Sequence, residues 1–141
     1  MNTRKILYDY LMSMVGLPYM WGGDDTINGF DCSGLVLEAL WSQGMGPSGD
    51  STAQGIREFY HDYRVDKPQF GDLVFYGSKE KATHIGICLN DKLFIEAGGG
   101  GQSTINKDIA SKQNAFIRIR TINKRSDLLG FVMPPWPFEA L

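Results

Sequence analysis

An α+β fold, with helices first and strands after, is what the order of residue patterns in this chain predicts. Two observations carry that reading. Apolar residues recur at three- and four-residue spacing within residues 3 to 15 and lie nearly all round from 33 to 43, and from residue 70 onward short runs of β-branched and aromatic residues take over. The chain has 141 residues and 15.7 kDa, which is enough to bury a sizeable core and fits one domain over residues 1 to 141. With 43% hydrophobic and 21% charged residues, it has the composition of a soluble globular chain and not of a disordered one.

Charge and cysteine usage narrow the function. A net charge of −2 and a pI near 5.6 give no basic excess, so bulk electrostatics exclude capture of nucleic acid. Two cysteines do not make a disulfide framework, and they suit a free thiol made in a reducing compartment. The stretch Met1 to Met14 opens with two positive charges, but Asp9 interrupts its apolar part and no small-residue cleavage site follows. It therefore reads as a helix presenting Ile6, Leu7, Tyr10, Leu11 and Met14, and no secretory signal is evident. No run of 18 apolar residues occurs, so no membrane span is expected.

The first helix is expected over residues 3 to 15, stopped by Gly16 and Pro18. An irregular, glycine-bearing segment from Trp21 to Gly29 follows, of the kind that brings backbone close to a ligand. From Ser33 to Gln43 apolar residues lie nearly all round, the mark of a buried central helix. After a loop at Gly44 to Gly49, a third helix is expected over Ser51 to Tyr60, capped by Asp50 or Ser51. Strands are expected at Asp72–Tyr76, His84–Leu89, Leu93–Ala97, Ala115–Arg120 and near Gly130–Val132. The glycine run 98 to 101 reads as a mobile loop, because no Lys-Ser or Lys-Thr pair follows it as a phosphate cradle requires. The aromatic tail Met133 to Leu141 suits a docking partner, but such termini more often pack on their own domain or fray.

Cys32 stands between turn residues and the central helical pattern. A thiol at a helix N-terminus meets the positive end of the dipole and unpaired N–H groups, which favour a thiolate nucleophile. Such a thiol needs a base, and the chain has only two histidines. His84 opens a strand-like run, whereas His61 lies in Phe59-Tyr-His-Asp-Tyr63 at an expected exposed helix end, so His84 is the candidate. A core thiol and a satisfied strand histidine are the structural alternatives for the two residues. Cys88 falls on the same strand face as His84 but about 13 Å along it at ~3.3 Å per residue, so it reads as core. The cysteines and histidines show no paired ligand spacing, so no metal is expected. Asp31 next to the thiol opposes thiolate formation, so its carboxylate serves another purpose, for which the structural reading is a helix N-cap.

In order, the motifs Pro18-Tyr-Met-Trp-Gly-Gly23, Asp31-Cys-Ser-Gly34, Gly71-Asp-Leu-Val-Phe-Tyr76, His84-Ile-Gly-Ile-Cys-Leu89 and Phe94-Ile-Glu-Ala97 resemble those of the NlpC-type cell-wall cysteine endopeptidases. The resemblance runs from the first helix to the last strand. It implies a papain-like fold, with N-terminal helices packed on a central antiparallel β-sheet. It also implies Cys32 as nucleophile, His84 as base, and Tyr19, Asp31 and Ser33 as the residues that hold the free amino end of a peptide substrate, Tyr19 also assisting at the oxyanion. In the family the group that orients the histidine lies twelve positions after it and is most often a second histidine; here that position is Glu96. A carboxylate can take this part, since it accepts the imidazole N–H and favours the imidazolium.

The implied substrate is a bacterial peptidoglycan stem peptide, cut most often between D-glutamate and the third-position diamino acid, with no cofactor. The small size and missing signal fit a bacteriophage lysis or tail-associated enzyme, or an effector delivered by another machine that acts on the cell wall. An amidase or acyltransferase on a non-wall substrate, and an inactive peptidoglycan-binding module, are the competing readings. Strand parity decides between them in part. His84 and Glu96 share a face only if their strands pair with an even index sum, which requires a three-residue loop around Asn90-Asp-Lys92 or a bulge. An odd sum points Glu96 away.

Overall fold

The computed structural model describes residues 2–25 and 29–139. Helices α1 (Thr3–Met14), α2 (Cys32–Ser42) and α3 (Ala53–Phe59) precede a six-stranded sheet. Its strands are β3 (Arg64–Val65), β4 (Leu73–Gly77), β5 (Ala82–Cys88), β6 (Leu93–Gly98), β7 (Phe116–Thr121) and β8 (Leu128–Val132). A small hairpin of β1 (Asp24–Asp25) and β2 (Gly29–Phe30) lies before α2, and a fourth helix, α4 (Lys107–Lys112), stands between β6 and β7. The sheet order is β3-β8-β4-β5-β6-β7 with every pair antiparallel. This is the expected α+β arrangement of helices on an antiparallel sheet.

Alternation along the strands divides the sheet into two faces. Leu73, Phe75, Ile85, Ile87, Ile95, Ala97 and Ile117 form one core with the helices, while Val74, Tyr76, Cys88 and Phe94 form a smaller one with Ile122. Helix α2 is central because Ser33 to Leu37, Ala39 and Leu40 are all buried. Each large aliphatic side chain so buried contributes about 1.5–3 kcal/mol. The first helix buries Leu7, Leu11 and Met14 in the same core.

Several expected boundaries shift for local reasons. Helix α3 begins two residues later than expected, because Thr52 is its cap: the Thr52 hydroxyl accepts from the Gly55 N–H at 3.0 Å, while Asp50 reaches only the Ser51 N–H. Strand β4 begins after Asp72, whose Oδ2 accepts from the Gln69 N–H and closes the preceding turn. The β5–β6 register pairs Ile87 with Ile95 and Cys88 with Phe94. The index sums are even, and Leu89 donates to the Leu93 carbonyl at 2.8 Å across a loop of Asn90, Asp91 and Lys92. The three-residue connection that lets His84 and Glu96 share a face is therefore present. The aromatic tail packs on its own domain: the Trp136 indole donates to the Gly71 carbonyl at 2.8 Å, and Phe138 stacks on Trp136 and Phe70.

Asp72 is fully buried, its Oδ1 has no partner among the described residues, and burial pushes its carboxyl up to about 6 against the Gln69 N–H that lowers it. A carboxyl raised above its unfolded value of about 3.9 costs the fold stability as pH rises from about 4 through about 6. Asp72→Asn is expected to flatten that slope and to raise the unfolding free energy at pH 8 by about 1–3 kcal/mol. Denaturant titrations at pH 4.5 and pH 8 check this, and an unchanged slope would contradict it.

Candidate active site

Asp31 caps α2, its Oδ1 accepting from the Gly34 N–H at 2.7 Å and its Oδ2 from the Gly22 N–H at 3.1 Å. The cap places Cys32 at the first helical position, half-buried, with its own N–H unpaired among the described residues. Unpaired N–H groups and the dipole at this end suit an anionic sulfur or oxygen. Gly34 packs so closely on the Gly23 carbonyl that no Cβ fits, which ties the helix start to the glycine-bearing segment before it.

His84 stands opposite Tyr76 in the β4–β5 ladder, and its Nε2 meets Glu96 Oε1 at 2.7 Å. Glu96 is 4% exposed, and its second oxygen accepts from Arg118 Nε at 2.7 Å. The other ring nitrogen of His84 makes no hydrogen bond among the described residues, and Cys32 lines the same cleft. Burial lowers the His84 pKa, but the neighbouring Cys32 and the hydrogen bond to Glu96, with the charges of both, outweigh it, so that it is pushed up to about 9. Burial also disfavours the Glu96 carboxylate, yet His84 and Arg118 bring its pKa down to about 2. The side-chain chain from thiol to imidazole to carboxylate to guanidinium thus favours the imidazolium.

These groups lie on a cleft of about 960 Å³ that Tyr19, Asp31 and Ser33 also line. The Ser33 hydroxyl faces Asp31 Oδ1 at 3.4 Å. Burial raises the Asp31 carboxyl against the N–H bonds of Gly34 and Gly22, with Asp50 adding to the rise, so an incoming cation would meet an under-compensated carboxylate. Tyr19 is 5% exposed, and its hydroxyl is pushed up by burial and by the charges of Cys32 and Asp31.

The structure brings Cys32, His84, Glu96, Tyr19, Asp31 and Ser33 to one cleft. His61 is elsewhere, exposed beside Asp62 with its ring against the Glu58 carbonyl. Cys88 is buried in the second core, where burial pushes its thiol up. The glycine run forms a cleft wall: Gly98 ends β6, and Gly100 lies against the Tyr19 ring, where a Cβ would come within 2.7 Å of Cγ. Sequence reasoning missed Arg118. Its register against Glu96 depends on a connection containing α4, and no spacing rule gives that register from sequence.

YafL of Escherichia coli, named a probable endopeptidase, is 32% identical over 137 residues, covering 91% of this chain and 53% of its own. LytE of Bacillus subtilis, named a probable peptidoglycan endopeptidase, is 31% identical over 126 residues, covering 89% of this chain and 34% of its own. The chain thus spans about half or less of the length of these relatives. The fold is also that of RipD from Mycobacterium tuberculosis, a non-catalytic NlpC/p60 domain protein adapted to peptidoglycan binding, with TM-score 0.70, 17% identity and coverage of 96% of this chain and 98% of RipD. The NlpC/P60 family profile matches residues 16–124, and on that match and these identities the chain belongs to the NlpC/P60 family.

Proposed function

We propose that this chain is a cysteine peptidase that hydrolyses an amide bond in bacterial peptidoglycan stem peptides, between D-glutamate and the third-position diamino acid, and that residues 1 to 141 form one domain for that purpose. The observation that carries the reading is the capped thiol of Cys32 on one cleft with a His84 that is itself bonded to a buried Glu96. RipD shows that this fold also serves binding without catalysis; a complete thiol, imidazole and carboxylate set favours catalysis here.

In this reading the Cys32 sulfur attacks the amide carbonyl, forming the carbon–sulfur bond. The resulting oxyanion accepts the Cys32 backbone N–H, with the Tyr19 hydroxyl as a second donor. His84 passes a proton to the nitrogen of the breaking carbon–nitrogen bond, and the amine leaves. Water, deprotonated by the now neutral His84, then attacks the thioester, and the thiol is regenerated with release of the carboxylate. Glu96 fixes the ring and favours its charged form. Asp31 and Ser33 hold the ammonium at the free end of the peptide, an ion pair that would offset the partial burial of the Asp31 carboxylate.

Mass spectrometry of defined stem peptides after incubation with wild type and with Cys32→Ser tests the proposal. Fragments from the D-glutamyl bond are expected with wild type alone, and acetylating the peptide's amino end is expected to slow cleavage by roughly thirtyfold or more. Cleavage of other amides or esters with stem peptides left intact would point to an amidase or acyltransferase. Binding of stem peptides by both proteins without cleavage would point to a binding module.

A further inference from the structure

We propose that Arg118 is a positioning residue for catalysis: it holds one oxygen of Glu96 so that the other stays aimed at His84, in a space that Gly98 leaves open. The proposal deepens the Cys32–His84 reading and does not depend on the substrate. A carboxylate that replaces an imidazole at this position has two equivalent oxygens and a soft terminal torsion, so one hydrogen bond to His84 does not fix it. The second bond does. Arg118 and Glu96 are cross-strand partners, Arg118 Nε reaches Oε2 at 2.7 Å, and Arg118 Nη1 is itself tied to the Asn114 carbonyl at 3.3 Å.

Gly98, two residues along the same face, completes the arrangement. A Cβ there would lie 2.7 Å from Glu96 Cδ and 3.0 Å from Arg118 Nη2, although the Gly98 backbone is not in the left-handed region and would accept alanine. Other charged or titratable groups act on the pair from further off, Arg125 and the Tyr76 hydroxyl on Glu96 and Cys32 and Asp127 on His84, and Arg120 and Lys124 line the same cleft. None of them contacts the Glu96 oxygens by a hydrogen bond among the described residues.

The test is the rate of Cys32 alkylation by iodoacetamide from pH 4 to pH 10, with the adduct located by mass spectrometry. It reads the thiol–imidazole pair with no substrate present. Without its guanidinium partner a buried Glu96 takes up a proton at higher pH, and a neutral Glu96 no longer supports the imidazolium. Arg118→Gln is therefore expected to move the acid limb of the profile upward and to lower the rate at pH 6 by about tenfold, the order seen when groups that orient a reacting ligand are removed. Arg118→Lys, which keeps the charge without the fork, is expected to recover part of the loss. Gly98→Ala is expected to shift the limb as Arg118→Gln does, and Arg118→Gln should add nothing in a Glu96→Gln background.

A lower rate with the acid limb unmoved, or an equal further loss in the Glu96→Gln background, would overturn the proposal. A wild-type profile identical to that of His84→Gln would overturn the Cys32–His84 reading itself, and the proposal with it.

Discussion

Glu96→Gln is expected to lower kcat/KM on stem peptides by on the order of a thousandfold, the scale of loss when the carboxylate behind a catalytic histidine is made neutral. Two effects combine. The carboxylate accepts the Nε2 proton and so presents the other ring nitrogen to the thiol, whereas an amide can turn its NH2 toward the ring and reverse the tautomer. The charge also matters, because burial opposes the imidazolium and Glu96 is one of the two groups that outweigh it. With only Cys32 left on that side, the His84 pKa falls from about 9 toward neutral. The alkaline limb of the rate profile should fall with it, since protonating the leaving amine requires the charged ring. Rates measured from pH 5 to pH 10 check both effects. A full-sized loss with the alkaline limb still near pH 9 would mean that Glu96 acts through orientation alone.

Cys32→Ser is expected to abolish turnover, with a loss of about ten-thousandfold or more, while leaving the melting temperature within a few degrees. A serine hydroxyl is far less acidic than a thiol, and a site built to hold an imidazolium has no neutral base to activate it. The fold should tolerate the change, because α2 is capped by Asp31 and packed through Leu35, Val36, Leu37, Ala39 and Leu40, none of which depends on the sulfur. Cys88 cannot take over: it is fully buried in the second core, with its thiol pushed up by that burial. Iodoacetamide should therefore modify wild type once, at Cys32, and leave Cys32→Ser unmodified.

Much of the layout was legible in the sequence because local rules governed it. The period-four pattern of α1, the all-round apolar surface of α2 and the alternation in β4 to β7 depend on residues close together in the chain. The face shared by His84 and Glu96 followed from a three-residue loop, again a local matter. The short pieces were not legible: two-residue strands such as Arg64–Val65 and the six-residue helix Lys107–Lys112 carry too few residues for a period and form because tertiary contacts supply their partners. Arg118 was hidden for the same reason, since a basic residue in an alternating strand reads as solvent-facing until its partner across the ladder is known. Asp31 is the instructive case. Its cap on Gly34 was legible, but the second bond, from the Gly22 N–H to its other oxygen, depends on how the glycine-bearing segment folds back and was not.

The central claim is that the Cys32 sulfur becomes covalently attached to the acyl half of the substrate, and intact-protein mass spectrometry after rapid acid quench measures it most directly. With a stem peptide in excess, wild type should gain the mass of the acyl fragment, localised by digestion to the peptide carrying Cys32, and lose it again as turnover proceeds. Cleavage that continues with no adduct at any quench time and persists in Cys32→Ser would contradict the account.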